Sequence, residues 1–298
     1  MDDPMPLILV TGVTGRVGQR FTKRLLEGAR SGTEVRVLVR DEERGAPFAA
    51  LGAQVAVGDL REEKDLRKAM DGAHAVVNIA AAFRGVPDEE AWAVNRDAAV
   101  ALGRAAVEAG TSRFVQVSTN LTYGASRGRP LVEDDESVPG GVLWGAYPAS
   151  KAEAERELLA LHRKHGLDLR IGSLAFVYGD GDPHLAESLQ LGGTWAGNQR
   201  LAMVHHADVT QALLRLLRAP GGTAGGSVSG RKYNIVDDAP ATMVELHQIL
   251  GAPLPEGLTE RTDGDTWWGC TSNRRLREEL GWRPLYPTMW TAYDAGAL

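Results

Sequence analysis

Leu7-Ile8-Leu9-Val10-Thr11-Gly12-Val13-Thr14-Gly15-Arg16-Val17-Gly18 decides how this chain folds. The unbroken apolar run that opens it suits a short strand buried on both faces of a parallel sheet. Gly12, Gly15 and Gly18 follow at G-x-x-G-x-x-G spacing, and a helical periodicity then runs through Leu25 and Leu26. Strand, glycine turn and helix in that order predict a dinucleotide site. Gly12 permits the tight turn, Gly15 lets the backbone approach a pyrophosphate, and Gly18 lets the helix pack close on the strand. The pyrophosphate belongs at the helix N-terminus, where unpaired N–H groups and the positive dipole end meet. Thr14, Arg16 and Val17 complete the binding turn.

Reading outward, a second strand over 34–39 ends at Arg40-Asp41, where such folds read the adenosine ribose. A carboxylate there accepts from a 2′-hydroxyl, whereas an arginine accommodates a 2′-phosphate. Arg40 comes first, guanidinium is a bidentate phosphate donor, and Arg16 adds charge. The expected cofactor is therefore NADP, with NAD as the alternative should Asp41 make the ribose contact. A third strand at 54–57 leads to Asp59 and Leu60. Asp59 either accepts from the adenine amino group or caps a helix over 62–70. A fourth strand, 75–82, ends in Ala80, Ala81 and Ala82, small enough to let a cofactor cross the sheet edge. A long amphipathic helix over 89–109 contains Asn95, a poor helix former. That asparagine either faces outward or is kept to hydrogen-bond something inside.

A fifth strand over 113–117 opens into Ser118-Thr119-Asn120-Leu121-Thr122-Tyr123-Gly124, which puts hydroxyls on the ligand-binding edge. A loop over 125–141 precedes a helix over 147–165 that carries Tyr147 and Lys151. Residues i and i+4 share a helix face. Phenol and ammonium ionise near pH 10 and about 10.4, and a cation close to the phenol favours phenolate. The pair then makes an acid/base usable near neutral pH. Taken alone the spacing also describes an inconsequential surface pair; a cofactor and a hydroxyl on the same edge give it meaning. After a sixth strand at 167–171, the alternation without repeats implies an α/β, doubly wound parallel sheet of Rossmann type.

Beyond Ile171 the alternation breaks down. A dinucleotide-binding domain is expected over 1–172, with 203–218 and 232–236 returning to it. A small C-terminal substrate-binding lobe takes 173–202 and 237–298. The glycine run at 221–226 reads as an exposed loop, and Trp267, Trp268, Trp282 and Trp290 read mainly as core of the small lobe. His205-His206 has no obvious third ligand, so no metal is expected.

The chain of 298 residues is 43% hydrophobic and 24% charged, ordinary for a soluble globular protein. A net charge of −6 argues against a nucleic-acid surface. The lone Cys270 excludes an intramolecular disulfide, fits a reducing compartment and reads as an incidental thiol. An acidic start at 1–4 is unlike a signal peptide, and no apolar run approaches a membrane span. The expected setting is cytoplasmic, with no membrane partner.

Together, Thr11 through Gly18, Gly58-Asp59-Leu60, Asn95, Ser118 through Gly124, Tyr147 with Lys151, Val177-Tyr178-Gly179, Val204 through Val209 and Leu280-Gly281-Trp282-Arg283-Pro284 resemble the extended short-chain dehydrogenase/reductases. That family includes NAD(P)-dependent epimerases, dehydratases and ketone reductases. The resemblance covers nearly the whole chain. It implies that Tyr147 is the acid/base, and that Lys151 lowers its pKa and binds the nicotinamide ribose. It puts the catalytic hydroxyl at Thr119, four residues before Tyr123, with Ser118 in support or as the donor instead. Asn95 and Leu174 join the cofactor residues, and Phe83, Arg84, Tyr123, Tyr178 and Trp195 the substrate residues. The helices over 89–109 and 147–165 offer the faces of a homodimer's four-helix bundle, as in relatives.

Two departures narrow the expected chemistry. Nucleotide-sugar enzymes of the family commonly carry an asparagine after the sixth strand, and the matching place is near Ser173. They also carry an arginine four residues before the histidine matching His205; that position is Leu201, with Arg200 one residue off. The expectation is NADPH-dependent reduction of a small-molecule ketone, or the reverse oxidation of an alcohol. An epimerase or dehydratase that retains its cofactor is the alternative, and a catalytically silent NADP-sensing protein the third reading.

Overall fold

The computed structural model describes residues 7–29, 32–139, 145–221 and 228–298. The acidic start, the end of the loop read over 125–141 and most of the glycine run at 221–226 lie outside them. Strands β1 (Leu7–Thr11), β2 (Glu34–Val39), β3 (Gln54–Val57), β4 (Ala75–Asn78), β5 (Arg113–Thr119) and β6 (Leu169–Leu174) form the body of the main sheet. Outside it lie β7 (Phe176–Tyr178), β8 (Arg200–Leu201) and β9 (Met203–His205), and β10 (Arg231–Ile235) rejoins it. The seven strands run parallel in the order β10-β6-β5-β4-β1-β2-β3. The order reverses at β1, between β4 and β2, which opens the crevice where such sheets hold ligands.

Helices α1 (Arg16–Glu27), α2 (Glu42–Ala49) and α3 (Glu63–Met70) link the first four strands. Then come α4 (Asp88–Trp92), a wide π-type stretch (Ala93–Ala98) and α5 (Ala99–Glu108), which run on as one helix. The helix α6 (Tyr147–His165) joins β5 to β6, α7 (His184–Glu187) follows β7, and α8 (His206–Arg218) follows β9. The sheet is covered on both faces. Phe21 and Leu25 of α1 pack with Leu213, Leu216 and Leu217 of α8 on one side. Leu66 of α3, Leu102 of α5 and Leu158 of α6 cover the other. Each fully buried side chain of this size contributes roughly 1.5–3 kcal/mol.

A second apolar cluster gathers around Tyr178, Trp195, Met203, Met243 and Leu246. There β7 pairs with β9, and β8 pairs antiparallel with β11 (Ala241–Thr242). Helix α9 (Met243–Ile249) opens with a Thr242/Glu245 capping box, and α10 (Arg274–Leu280) and α11 (Met289–Asp294) follow. The tryptophans do not all fill that cluster. Trp282 is wholly buried in the main core, Trp268 packs against the second cluster, and Trp267 and Trp290 are exposed.

Strand β4 is shorter than its sequence suggests. Ile79 N–H still donates to Thr11 O (3.2 Å), but beyond it β1 has turned away toward α1. Under the crevice a buried polar chain crosses the central strands, from Thr11 Oγ1 to Asn78 Oδ1 (2.6 Å) and Asn78 Nδ2 to Gln116 Oε1 (2.8 Å). Among the described residues no helix is long and apolar enough to cross a membrane.

Candidate active site

A cleft of about 1240 Å³ runs along the carboxyl ends of the strands, from the glycine turn to the second apolar cluster. Its first wall is backbone. Gly12 sits at φ 73°, and a Cβ there would lie 2.5 Å from Ala80 Cα. A Cβ on Gly18 would lie 2.8 Å from the Gly12 carbonyl carbon, so α1 touches the turn. At Gly15 the nearest atom to an added Cβ is Gly12 O at 3.4 Å. The first two glycines are therefore needed for packing, and the third keeps the cleft side of the turn open. Helix α1 starts there with no side-chain cap and no acid in its first turn, which leaves its N–H groups to an anion. This cradle fits a dinucleotide pyrophosphate. Arg16 lines it, but its guanidinium is held by both oxygens of Glu187 (2.8 and 2.9 Å), with Asp182 at 3.4 Å. The charge expected to supplement a 2′-phosphate site instead ties the turn to α7.

At the adenosine end Arg40 lines the cleft, and among the described residues it makes no ion pair. Asp41 does not line it. Its carboxylate caps α2, accepting from Arg44 N (2.9 Å) and pairing with Arg44 Nε (3.0 Å). Asp41, the carboxylate expected to make the ribose contact in the NAD alternative, is held on α2 instead. Asp59 and Leu60 line the cleft. Asp59 does not cap α3; it binds Arg61 N (2.9 Å) and the Arg61 guanidinium (2.6 Å), which holds its carboxyl down at about 2.

The residues expected to react converge where β5 meets α6. Thr119 closes β5 and Tyr147 opens α6, and the Thr119 side chain stands close enough to the phenol to oppose the rise of its pKa. Phe83 packs against the phenol, with ring centroids 4.4 Å apart. Lys151, only 2% exposed, donates to Ala80 O (3.1 Å) and Val117 O (3.2 Å). An ammonium has three donors, so one remains for the cleft. Burial pushes Lys151 down to about 8, with Glu155 opposing.

Burial pushes Tyr147 up to about 12, and the Thr119 side chain only partly counters it. The expected depression of the Tyr147 pKa by Lys151 is absent. Excluding water from the phenolate costs more than a lysine tied to two carbonyls returns. Ser118 reaches the cleft by backbone, but its hydroxyl donates to Glu155; Thr119 is the hydroxyl left to face a substrate.

Ala80, Ala81, Thr14, Val17, Leu174, Phe83, Arg84 and Trp195 also line the cleft. Asn95, Tyr123 and Tyr178 do not. Asn95 is fully buried, accepting from Ala82 N (2.9 Å) and donating to Ala82 O (2.9 Å) and Ser150 Oγ (3.2 Å). It pins the frayed end of β4 to the helix of Tyr147, so it acts on the cofactor wall from behind. Tyr123 points into the sheet toward Asn234 (2.8 Å), and Tyr178 is wholly buried in the second cluster.

Arg44 and Trp268 carry no sequence signal for the cleft and arrive there by tertiary packing; Phe176 and His184 line it as well. Phe176 stacks on His184 (3.8 Å), and Trp268 meets Trp195 edge-on (5.3 Å). His184 Nδ1 bonds Val177 O (3.1 Å) and must donate, since a carbonyl only accepts; burial holds the ring neutral, down at about 4. Ser173 is buried in β6, and the cleft lining just past that strand is apolar, with Ala175 and then Phe176. Leu201 and Arg200 both reach it, so the one-residue offset does bring a guanidinium there. His205 bonds Ala297 O (2.8 Å) and His206 bonds Asp182 (2.8 Å). Among the described residues no group of His, Cys, Asp and Glu could hold a metal. Cys270 is buried, and burial raises its thiol.

Comparison with known proteins agrees with this architecture. Residues 8–235 match the model of the NAD dependent epimerase/dehydratase family. A 4-hydroxy-2-methyl-3-oxo-4-farnesyl-3,4-dihydroquinoline-1-oxide ketoreductase of Stigmatella aurantiaca is 31% identical, over 93% of this chain and 81% of that protein. A dTDP-glucose 4,6-dehydratase of Streptomyces niveus is 27% identical, over 93% and 88%. The crystal structure of a Streptomyces venezuelae dTDP-glucose 4,6-dehydratase, solved with NAD bound, superposes with a TM-score of 0.75 at 26% identity, covering 97% of this chain and 95% of that one.

Proposed function

The chain belongs to the NAD-dependent epimerase/dehydratase family, and from that premise we propose that it is an NADPH-dependent reductase of a flat, largely apolar ketone. The observation that carries this reading is the wall beside Tyr147 and Thr119. Phe83 packs on the Tyr147 ring, and Phe176, stacked on His184, and the edge-on pair Trp195 and Trp268 line the same cleft. Rings offer large contact areas to a planar substrate.

Thr119 and Tyr147 hold the ketone oxygen with two O–H donors, aimed where negative charge develops. Tyr147, protonated up to about 12, gives its proton to that oxygen. Lys151 keeps a cation at the cofactor side of the phenol and takes up the charge left on it. Bound NADPH supplies the hydride to the carbonyl carbon. The NADPH preference is supported by Arg40, which lines the cleft and among the described residues makes no ion pair, while Asp41 is occupied as a helix cap.

Arg200 favours a second reading. Its guanidinium lies in the substrate half of the cleft beside Cys270, and among the described residues it makes no ion pair. A nucleotide-sugar diphosphate would suit it. One assay separates the two. Purified protein with NADPH is offered aryl ketones, dTDP-glucose and UDP-glucose, and loss of NADPH absorbance is followed. Net oxidation with a ketone is expected, falling about 10²–10⁴-fold in Tyr147→Phe. Conversion of a sugar nucleotide with no net absorbance change establishes the second reading, and unchanged turnover in Tyr147→Phe removes Tyr147 as the acid.

A further inference from the structure

Behind the cleft, and lining none of it, Glu155 of α6 and Lys232 of β10 form an ion pair at 2.9 Å, with side chains 7% and 11% exposed. Burying two charges is seldom a net gain in stability, so such a pair calls for another reason. Its connections supply one. Glu155 accepts the Ser118 hydroxyl through Oε1 and Lys232 through Oε2. Lys232 donates also to Thr122 Oγ1 (3.0 Å) and stands 4.1 Å over the Tyr123 ring. Thr122 Oγ1 in turn donates to Thr119 O (3.0 Å). Thr119 is therefore gripped from both sides, through its neighbour Ser118 and through its own carbonyl. The other end of the grip is the helix of Tyr147 and Lys151, because Glu155 lies one and two turns along that same face.

We infer that Glu155 and Lys232 are positioning residues that hold the Thr119 hydroxyl in register with the Tyr147 phenol. The inference rests on the reading of Thr119, Tyr147 and Lys151 as the reacting set. The pair also acts on Lys151 through charge. Glu155 favours its cationic form, and the Lys232 ammonium 2.9 Å from Glu155 is a counter-charge to it. The other charged groups around the network are Glu133 and Arg275, which meet it at Tyr123.

The test compares Lys232→Met, Glu155→Gln and the double variant in the full-length protein. NADPH affinity is expected to stay at the wild-type level while kcat falls about 10–100-fold, the cost of an ångström-scale misplacement. Lys232→Met leaves a buried carboxylate alone and loses thermal stability; the double variant regains stability but not kcat. Recovery of kcat together with stability shows a merely structural pair and overturns the inference. The pH profile of kcat/KM for NADPH gives a second readout. Its high-pH limb is expected to move up in Lys232→Met, where Glu155 acts uncancelled on Lys151, and down in Glu155→Gln. Parallel or absent movement also counts against the inference. Tyr147→Phe separates the two levels of reading. If it retains turnover, the reacting set is wrong; if it is inactive while Lys232→Met turns over normally, the positioning role alone fails.

Discussion

The two ends of the cleft are made of different materials. The dinucleotide end is backbone: one turn contiguous in sequence, two glycines pressed against Ala80 and Gly12, and a helix start with no cap. The substrate end is side chain: rings at Phe83, Phe176, Trp195 and Trp268, brought together from distant segments. A backbone cradle tolerates no added atom, because the chain itself is the wall. A wall of rings shares its contacts among several partners, and the loss of one is divided. The first end is rigid and generic, the second adaptable and specific.

The comparison breaks first at Gly18. Gly18→Ala sets a methyl 2.8 Å from the Gly12 carbonyl carbon and 2.9 Å from Val13 Cα, so α1 must lift from the turn. Overpacking of this kind typically costs about 1–3 kcal/mol. Cofactor affinity, read by quenching of tryptophan fluorescence, should fall at least about 100-fold, since the helix N-terminus moves with it; wild-type affinity would mean that the turn is not the pyrophosphate site. A smaller effect belongs to Arg40. Arg40→Ala should weaken NADPH by about 10–100-fold, the one or two bidentate contacts it removes, and leave NADH nearly unchanged. Equal losses for both cofactors would transfer the ribose end to another group.

The third prediction sits between the two ends. Lys151 has its pKa depressed by burial to about 8, so it is cationic below that pH and neutral above it. The kcat/KM for NADPH, which reports ionisations of the free enzyme, should be level at neutral pH and fall about tenfold per unit once pH rises past about 8. Tyr147, raised to about 12, contributes no limb in that range. A profile level to pH 10 would separate Lys151 from cofactor binding.

The sequence made the sheet legible because each strand announces itself locally. Apolar runs at 34–39 and 54–57 match β2 and β3 residue for residue. Where a boundary depended on a neighbour it was missed: β4 reads as eight residues in sequence, yet the strand ends at Asn78 and its last bond to β1 is from Ile79 N–H to Thr11 O. The same divide runs through the site. Asn95 stood out as an asparagine in a helix, but nothing local could say that it would be spent on Ala82 and Ser150 inside a π-type turn. Tyr123 and Tyr178 looked like substrate residues from motif position, and both point into packed core.

What the sequence determined by itself was the doubly wound α/β sheet, the glycine cradle and the adjacency of Tyr147 and Lys151, since period and spacing within one element fix all three. Only the tertiary structure decided that burial raises the Tyr147 pKa, that Ser118 turns away to Glu155, and that Phe83, Phe176, Trp195 and Trp268 line one cleft. Those outcomes depend on burial and on partners far along the chain, as Lys232 is from Ser118. Desolvation and long-range pairing are properties of the folded volume, and no local stretch of sequence encodes them.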